Sequence, residues 1–170
     1  MLFRSGEVEK FLAAAHSKQI LTILNPAPIQ KLSPELISNC DYLVVNESEA
    51  SFLTGKTLEK INVDQAKVIA AQLINLGAKK VIITLGENGS LYTDGEQEIF
   101  TPAFKVEAID TTAAGDAFCG GFATVLAANK PIQYCLKFAS AAGALAATKA
   151  GAVPSLPTEN QILSMLASVQ

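Results

Sequence analysis

The sequence predicts an α/β fold in three layers, α/β/α, with helices on both faces of a mainly parallel central sheet. Two observations predict it. Strand-like and helix-like segments alternate along residues 7–85, and the strands are continuous apolar runs such as Tyr42–Val45. Runs without alternation are typical of strands buried on both faces of a parallel sheet. With 170 residues, the chain has the length of a single domain, 1–170, with a sizeable core.

The first elements follow from helical spacing and from residues that end elements. Residues 7–18 carry apolar positions at helical spacing, and the apolar run Ile20–Leu24 predicts a buried strand. The prolines of Asn25-Pro26-Ala27-Pro28 end that strand because they remove hydrogen-bond donors. Ser33 followed by Pro34 predicts a helix start, since serine is a good N-cap and proline suits the first helical position.

The middle of the chain predicts alternating strands and helices up to a hairpin around Asp94-Gly95. Polar residues 46–49 open a helix that ends near Gly55, and Gly77 closes an amphipathic helix. In order, the predicted elements are a strand at 42–45, helices at 46–55 and 64–76, a strand at 80–85 and hairpin strands at 91–93 and 98–100.

The last seventy or so residues are rich in alanine and glycine, which predicts closely packed helices near 115–128, 131–148 and 158–168. Two glycine-containing segments, 86–89 and 113–115, each follow a predicted strand. Ligands of open parallel sheets bind beyond the carboxyl ends of the strands. The sequence therefore predicts a ligand site near these two segments.

Composition excludes several classes of function. The chain has 13 basic and 16 acidic residues, a net charge of −3 and no basic run, which argues against nucleic-acid binding. Apolar stretches such as 138–147 are far shorter than the ~18–20 residues of a membrane span. Three scattered cysteines and one histidine, His16, favour neither a disulfide framework, nor a zinc site, nor a histidine-paired triad. Residues 1–6 lack the pattern of a signal peptide, so we expect a cytoplasmic protein.

The segment Asp110–Phe118 carries the clearest chemical pattern. Small residues 113–115 stand where a helix begins, so their backbone amides have no acceptor within the helix and can approach an anion. Asp116 falls in the first helical turn, where its carboxylate could accept a hydroxyl proton while the amides stabilise a transferring phosphoryl group. The same residues also fit an ordinary helix start, with aspartate as a cap and small residues for close packing. Residue types and spacing leave both interpretations open.

Segments spread over residues 25–155 resemble, in order, the motifs of the ribokinase-like (PfkB-type) carbohydrate kinases. Asp110–Asp116 is similar to the family signature Asp-Thr-x-(Gly/Ala)-Ala-Gly-Asp. The other matches are Asn25-Pro26-Ala27-Pro28, Asn46-Glu47-Ser48-Glu49-Ala50, Thr84-Leu85-Gly86-Glu87-Asn88-Gly89 and the Gly-Ala-x-Pro-Ser tail at 151–155. Several matches in the family's order make the resemblance specific, whereas each alone would be weak.

The resemblance implies a role for each matching residue. Asp116 would be the general base and would contact the sugar hydroxyl, and the amides of Ala113, Ala114 and Gly115 would form an anion hole. The ATP site would comprise Thr84, Leu85, Gly86, Glu87, Asn88, Gly89, Gly115 and Ser140, with Asn46 near the phosphates and Mg²⁺. Asn46 and Glu49 fit equally well as polar residues that open a helix.

The family resemblance also implies activation by a monovalent cation such as K⁺. The matching positions are Asp110, Thr112, Ala146, Lys149, Gly151 and Ser155, which would bind mainly through backbone carbonyls. A hard cation prefers such oxygen ligands, and it would steady the anion-hole loop electrostatically. Lys149 fits equally well as a solvated charge at a helix end.

The resemblance covers only the C-terminal half of the family's fold, without the N-terminal strands, the sugar-gripping Gly-Gly segment or the β-sheet lid. We therefore expect an open edge strand, exposed apolar surface, and either self-association or a need for the missing half. The leading hypothesis is a kinase that converts D-ribose and ATP to D-ribose 5-phosphate. The Asn25–Pro28 turn resembles that of the family's ribose kinases and not that of its adenosine or fructose-phosphate kinases. The alternatives are a catalytically incomplete nucleotide-binding module, one half of a split kinase, or a kinase for another sugar or a nucleoside.

Overall fold

The structure is a computed structural model that describes residues 5–56 and 61–168. The chain forms two compact units, one from Met1–Leu85 and Leu91–Ile99, the other from Gly86–Ser90 and Phe100–Gln170. The expectation of a single domain over 1–170 stays a prediction. Residues 1–4, on which the signal-peptide argument partly rests, lie outside the described residues.

Among the residues that the structure describes, the first unit contains four helices and nearly all of the sheet. Its helices are α1 (Ser5–Ser17), α2 (Pro34–Asn39), α3 (Glu47–Leu53) and α4 (Val63–Asn75). The strands are β1 (Ile23–Leu24), β2 (Tyr42–Asn46), β3 (Val81–Thr84), β4 (Ser90–Thr93) and β5 (Glu98–Thr101), of which the last two reach into the second unit. The order of elements is the alternation that the sequence predicts.

The sheet has the order β1-β2-β3-β4-β5. β1 pairs with β2 and β2 with β3 in parallel, so that Leu24 lies beside Leu43 and Asn46 beside Thr84. Residues 94–97 connect β4 to β5 directly, which is too short for a parallel crossover, so these strands form the predicted hairpin. Because β1, β2 and β3 are parallel, their carboxyl ends lie at the same end of the sheet.

The core of the first unit forms where α4 packs on the parallel strands. α4 buries Ala66, Ile69, Ala70 and Leu73, whose spacing places them on one helical face. Leu43 and Ile83 of the sheet are fully buried in the same cluster. Each large side chain of this kind stabilises the fold by roughly 1.5–3 kcal/mol.

β1 is shorter than the apolar run that predicts it, because two of the run's amides bond elsewhere. The Ile20 N–H donates to the Ala15 carbonyl at the end of α1 (3.0 Å). The Thr22 N–H donates to the Asp41 carboxylate (2.9 Å). Only Ile23 and Leu24 therefore remain as a regular strand beside β2.

The second unit is helical, with α5 (Ala114–Ala127), α6 (Ile132–Ala147), α7 (Ala152–Ser155) and α8 (Glu159–Ala167). α5 and α6 pack closely because small residues face each other. A Cβ atom on Gly121 would lie only 3.0 Å from the Ala142 Cβ. The predicted helices are present, and α7 is a short addition. Within 5–56 and 61–168, every helix is too short or too polar to cross a membrane.

Candidate active site

In the first unit, polar residues follow the carboxyl ends of all three parallel strands. Asn25 follows β1, and its side-chain amide donates to the Val44 carbonyl (2.8 Å). Asn46 ends β2 and lies beside Thr84, which ends β3. Three of the sequence motifs thus start at the end of the sheet where parallel α/β folds bind ligands.

The motif at Asn46 opens α3 through a capping box. The Glu49 N–H donates to Asn46 Oδ1 and the Asn46 N–H donates to Glu49 Oε2, both at 2.8 Å. Burial raises the pKa of Glu49, and the hydrogen bond from Asn46 offsets only part of that effect. Both residues therefore do open the helix, while a contact of Asn46 with phosphate or Mg²⁺ stays a prediction.

Thr84 and Leu85 also make contacts within the first unit. The Thr84 hydroxyl donates to the Val45 carbonyl across the β2–β3 pair (3.4 Å). The Leu85 side chain is buried in the core cluster. Any contact of Leu85 with a nucleotide would therefore involve its backbone.

The loop Gly86–Gly89, in the second unit, is shaped by glycine. Gly86–Asn88 form a 3₁₀ turn, and the Gly89 N–H donates to the Gly86 carbonyl (3.2 Å). Gly89 has a φ of +109°, and a Cβ there would lie 2.1 Å from the Thr101 carbonyl oxygen. Residues 86–88 are exposed, so this turn presents its backbone to solvent.

α5 begins with small residues and without a side-chain cap among the described residues. The Ala114 N–H donates back to the Thr111 carbonyl (3.1 Å), and the Ala117 N–H makes the first regular helical bond, to Ala113 (2.9 Å). Asp116 lies exposed in the first turn. The side chain of Asp116 therefore does not cap α5 through a hydrogen bond, although its charge lies at the positive end of the helix dipole.

The loop before α5 is tied to the segment after α6 through Asp110. Thr112 donates from its N–H (3.0 Å) and its hydroxyl to Asp110 Oδ1, and the Gly151 N–H donates to Oδ2 (2.9 Å). The hydrogen bonds from Thr112, followed by the one from Gly151, lower the pKa of Asp110 to about 2. The N–H groups of Ile109 and Asp110 also donate to the Ala147 carbonyl, at 2.8 and 3.1 Å.

The structure thus brings together Asp110, Thr112 and Gly151, three of the residues predicted to hold a monovalent cation. Of the others, Ala146 is buried in the last turn of α6 and its carbonyl accepts a bond from the Lys149 N–H (3.3 Å). Lys149 is exposed, whereas Ser155 is buried with its hydroxyl on the Ala152 carbonyl (2.8 Å). The donor set is carboxylate and carbonyl oxygen, which fits a hard cation such as K⁺.

The residues also fit Mg²⁺ held mainly by substrate. Within the described part of the chain, no three His, Cys, Asp or Glu side chains converge on a metal position. Mg²⁺ commonly keeps several waters and binds through substrate phosphates with only one or two protein carboxylates. Mg²⁺ bound in this way therefore does not require a full set of protein ligands.

Ser140 and Gly143 add two observations on α6. The Ser140 hydroxyl is buried and has no hydrogen-bond partner among the described residues, which is costly unless a ligand or water supplies one. A Cβ on Gly143 would lie 3.1 Å from the Ala114 carbonyl oxygen, so glycine there lets α6 approach the start of α5. Gly143 is not among the site residues predicted from the sequence, although a lone glycine inside an alanine-rich helix indicates close packing.

The model of the pfkB family of carbohydrate kinases matches residues 5–159. The chain belongs to this family. It is similar to a ribokinase of Haemophilus influenzae, at 40% identity over 160 residues, which cover 94% of this chain and 51% of the relative. A deoxyribokinase of Salmonella typhi is 35% identical over 150 residues, 86% of this chain and 48% of the relative.

This chain is also similar to a solved ribokinase structure. Arabidopsis thaliana ribokinase complexed with ribose and ATP has a TM-score of 0.89 at 32% identity, covering 95% of this chain and 52% of that one. These likenesses confirm the predicted three-layer α/β/α fold with a mainly parallel sheet. The chain spans about half the length of the curated relatives it matches.

Proposed function

We propose that this chain carries the phosphoryl-transfer part of an ATP-dependent sugar kinase that converts D-ribose to D-ribose 5-phosphate. The observation that carries the proposal is the start of α5, where Asp116 stands exposed beside small residues whose amides have no side-chain cap. The Asp110–Gly151 hydrogen bond supports it further, since it holds the preceding loop in place. The choice of ribose is supported by the ribokinases among the relatives.

The chemistry follows from the residues at that helix start. Asp116 would accept the proton of the sugar hydroxyl as its oxygen bonds to the γ-phosphorus and the bond to ADP breaks. Backbone amides at Ala113, Ala114 and Gly115 would donate hydrogen bonds to the transferring group, that of Ala114 in exchange for its bond to the Thr111 carbonyl. The helix dipole also favours the charge of this group. Most of the rate gain would come from positioning and charge stabilisation.

The nucleotide would be bound by the exposed backbone of residues 86–88 and by the adjoining Gly89, which is buried. Ser140 would also contribute, since its buried hydroxyl has no partner among the described residues. Within the first unit, Asn46, Thr84 and Leu85 at the ends of β2 and β3 are the residues that the family resemblance assigns to nucleotide binding. Mg²⁺ bound to the phosphates would neutralise part of their charge.

Oxygen atoms at the Asp110–Gly151 connection would hold a monovalent cation such as K⁺. The donors we propose are the ionised Asp110 carboxylate and oxygen atoms, mainly backbone carbonyls, of Thr112, Ala146, Lys149, Gly151 and Ser155. The bound cation would add positive potential next to the start of α5. We also propose a cytoplasmic location, supported by cysteine usage typical of reducing compartments.

A second candidate function is a nucleotide-binding module, or one half of a split kinase that acts only with its partner. The half-length match to the relatives favours it. A third candidate keeps the kinase and changes the sugar, and the similarity to a deoxyribokinase favours a pentose such as 2-deoxy-D-ribose.

The test is ADP release with ATP, Mg²⁺, K⁺ and either D-ribose or 2-deoxy-D-ribose. We expect sugar-dependent turnover that Asp116→Asn lowers by roughly 10²–10⁴-fold without changing ATP affinity or thermal stability. Asp64→Asn is the matched control, because Asp64 is likewise exposed in the first turn of a helix, α4. ATP binding without turnover would support the second candidate, and no ATP binding would contradict both.

A further inference from the structure

Two pairs of residues in this chain have the covalent pattern that favours cyclisation of a side chain onto the backbone. They are Asn88-Gly89 and Asp94-Gly95, in which an amide or carboxyl side chain precedes glycine. In such a pair the peptide nitrogen of the glycine attacks the side-chain carbonyl carbon of the preceding residue, and the absence of a Cβ leaves that nitrogen unhindered. The sequence does not separate the two pairs, whereas the structure does.

The Asp94 side chain is fixed in a form that does not react. Its Oδ1 accepts hydrogen bonds from the N–H groups of Glu96 (3.1 Å) and Gln97 (2.9 Å), and its Oδ2 accepts from the Tyr92 hydroxyl (3.2 Å) and from Gln97 Nε2 (3.0 Å). These bonds, led by those from Gln97, lower the pKa of Asp94 to about 2. An ionised carboxylate is a poor electrophile, so the fold protects Asp94-Gly95.

Asn88 is not restrained in this way. It is exposed at the end of the 3₁₀ turn Gly86–Asn88, and its side chain has no hydrogen-bond partner among the described residues. Gly89 is buried and its N–H donates to the Gly86 carbonyl at 3.2 Å, a long hydrogen bond, so the reaction requires the turn to open. Exposed turns of this kind open locally at a small cost in free energy.

We propose that Asn88 is a site of spontaneous deamidation, which converts it to aspartate or isoaspartate. The Gly89 nitrogen bonds to the side-chain carbonyl carbon of Asn88, the bond from that carbon to the amide nitrogen breaks, and ammonia leaves with the proton that the Gly89 N–H loses. Water then opens the resulting succinimide at either of its carbonyls. The net reaction consumes one water and releases one ammonia, so it needs neither an oxidant nor a reductant.

Both products change the turn. Aspartate adds a negative charge next to Glu87, and isoaspartate also lengthens the backbone by one carbon atom directly before Gly89. The backbone there has no room to move toward its neighbours, since a Cβ on Gly89 would lie 2.1 Å from the Thr101 carbonyl oxygen and 2.9 Å from the Ala103 nitrogen. We therefore expect the isoaspartate form to unfold at a lower urea concentration than the unmodified chain.

The added charge would also weaken ATP binding. This consequence rests on the proposed nucleotide site, whereas deamidation itself does not. We expect Asn88→Asp to lower ATP affinity about fivefold or more, because the new carboxylate repels the phosphates. Failure of the unmodified chain to bind ATP would contradict the proposed function, while the mass measurement below would still decide whether Asn88 deamidates.

The experiment incubates the folded chain for days in weakly alkaline buffer. Mass spectrometry of peptides measures loss of each amide, and labelling by protein isoaspartate methyltransferase measures isoaspartate. We expect Asn88 to deamidate at least about tenfold faster than Asn129, which is likewise exposed but precedes lysine. Asp94 should form no isoaspartate. Asn88→Gln is the matched control, because it keeps an uncharged amide but needs a larger and slower-forming ring.

Three results would overturn the proposal. The first is loss of the Asn88 amide in the urea-unfolded chain but not in the folded chain, since the turn would then protect the residue. The second is deamidation of Asn88 no faster than that of Asn129. The third is the same level of isoaspartate in Asn88→Gln as in the unmodified chain.

Discussion

The Asp110 carboxylate accepts a hydrogen bond of 2.9 Å from the Gly151 backbone N–H, although 41 positions separate the two residues. Thr112 binds the other carboxylate oxygen from within the same turn. One side chain thus ties the loop that begins α5 to the segment that follows α6. Because α5 carries Asp116, this connection bears directly on the proposed catalytic end of the helix.

We predict that Asp110 titrates at about pH 2 in the folded chain, because hydrogen bonds from Thr112 and Gly151 lower its pKa. Its unfolded pKa is about 3.9. A pKa lowered by folding contributes stability above about pH 4, and that contribution is lost as the pH falls toward 2. The measurement is the carboxyl ¹³C shift of Asp110 against pH. Thr112→Val should raise the midpoint, and a wild-type midpoint near 4 would contradict the structure.

We predict that Asn46→Ala destabilises the chain by about 1 kcal/mol, because it removes the capping box at α3. Asn46→Ser should retain most of the stability, since serine is also a good N-cap. Urea unfolding measures both. If Asn46 also contacts the nucleotide, Asn46→Ser will weaken ATP binding while stability is kept, which separates the two roles. Equal stability of Asn46→Ala and wild type would rule out the cap.

We predict that Gly89→Ala destabilises the chain by more than about 3 kcal/mol. The residue has a φ of +109°, and an added Cβ would collide with the Thr101 carbonyl at 2.1 Å. Gly120→Ala in α5 is the control, because its Cβ would meet open space. That change should stabilise the chain by about 0.5–1 kcal/mol through helix propensity. Similar urea midpoints for the two variants would be inconsistent with the loop geometry.

We predict that Gly143→Ala shifts the start of α5 while changing stability by less than about 1 kcal/mol. The added Cβ would lie 3.1 Å from the Ala114 carbonyl oxygen, and the gain in helix propensity of α6 offsets this crowding. The ¹⁵N–¹H shifts of Ala114, Gly115 and Asp116 report the displacement. Gly120→Ala should leave these shifts nearly unchanged. Unchanged amide shifts in Gly143→Ala would contradict the prediction, because the crowding would then be relieved by movement elsewhere in the helices.

Much of the fold and of the candidate site could be predicted from the sequence, because the signals are local. The apolar run at Tyr42–Val45 indicates a buried strand, and Asn46 with Glu49 forms the helix opening that their spacing allows. The glycine at position 89 marks a turn that the structure shows to require it. Hydrogen bonds and periodicities of this kind involve residues only a few positions apart, so one stretch of sequence suffices.

The sequence by itself determined the order of strands and helices, the helix starts and the motif of residues 110–116. Tertiary structure decided which distant groups meet: Asp110 with Gly151, Gly143 with the Ala114 carbonyl, and Thr22 with the Asp41 carboxylate, which shortens β1. Such contacts depend on which surfaces pack together, and packing is a property of the whole fold that no local pattern specifies.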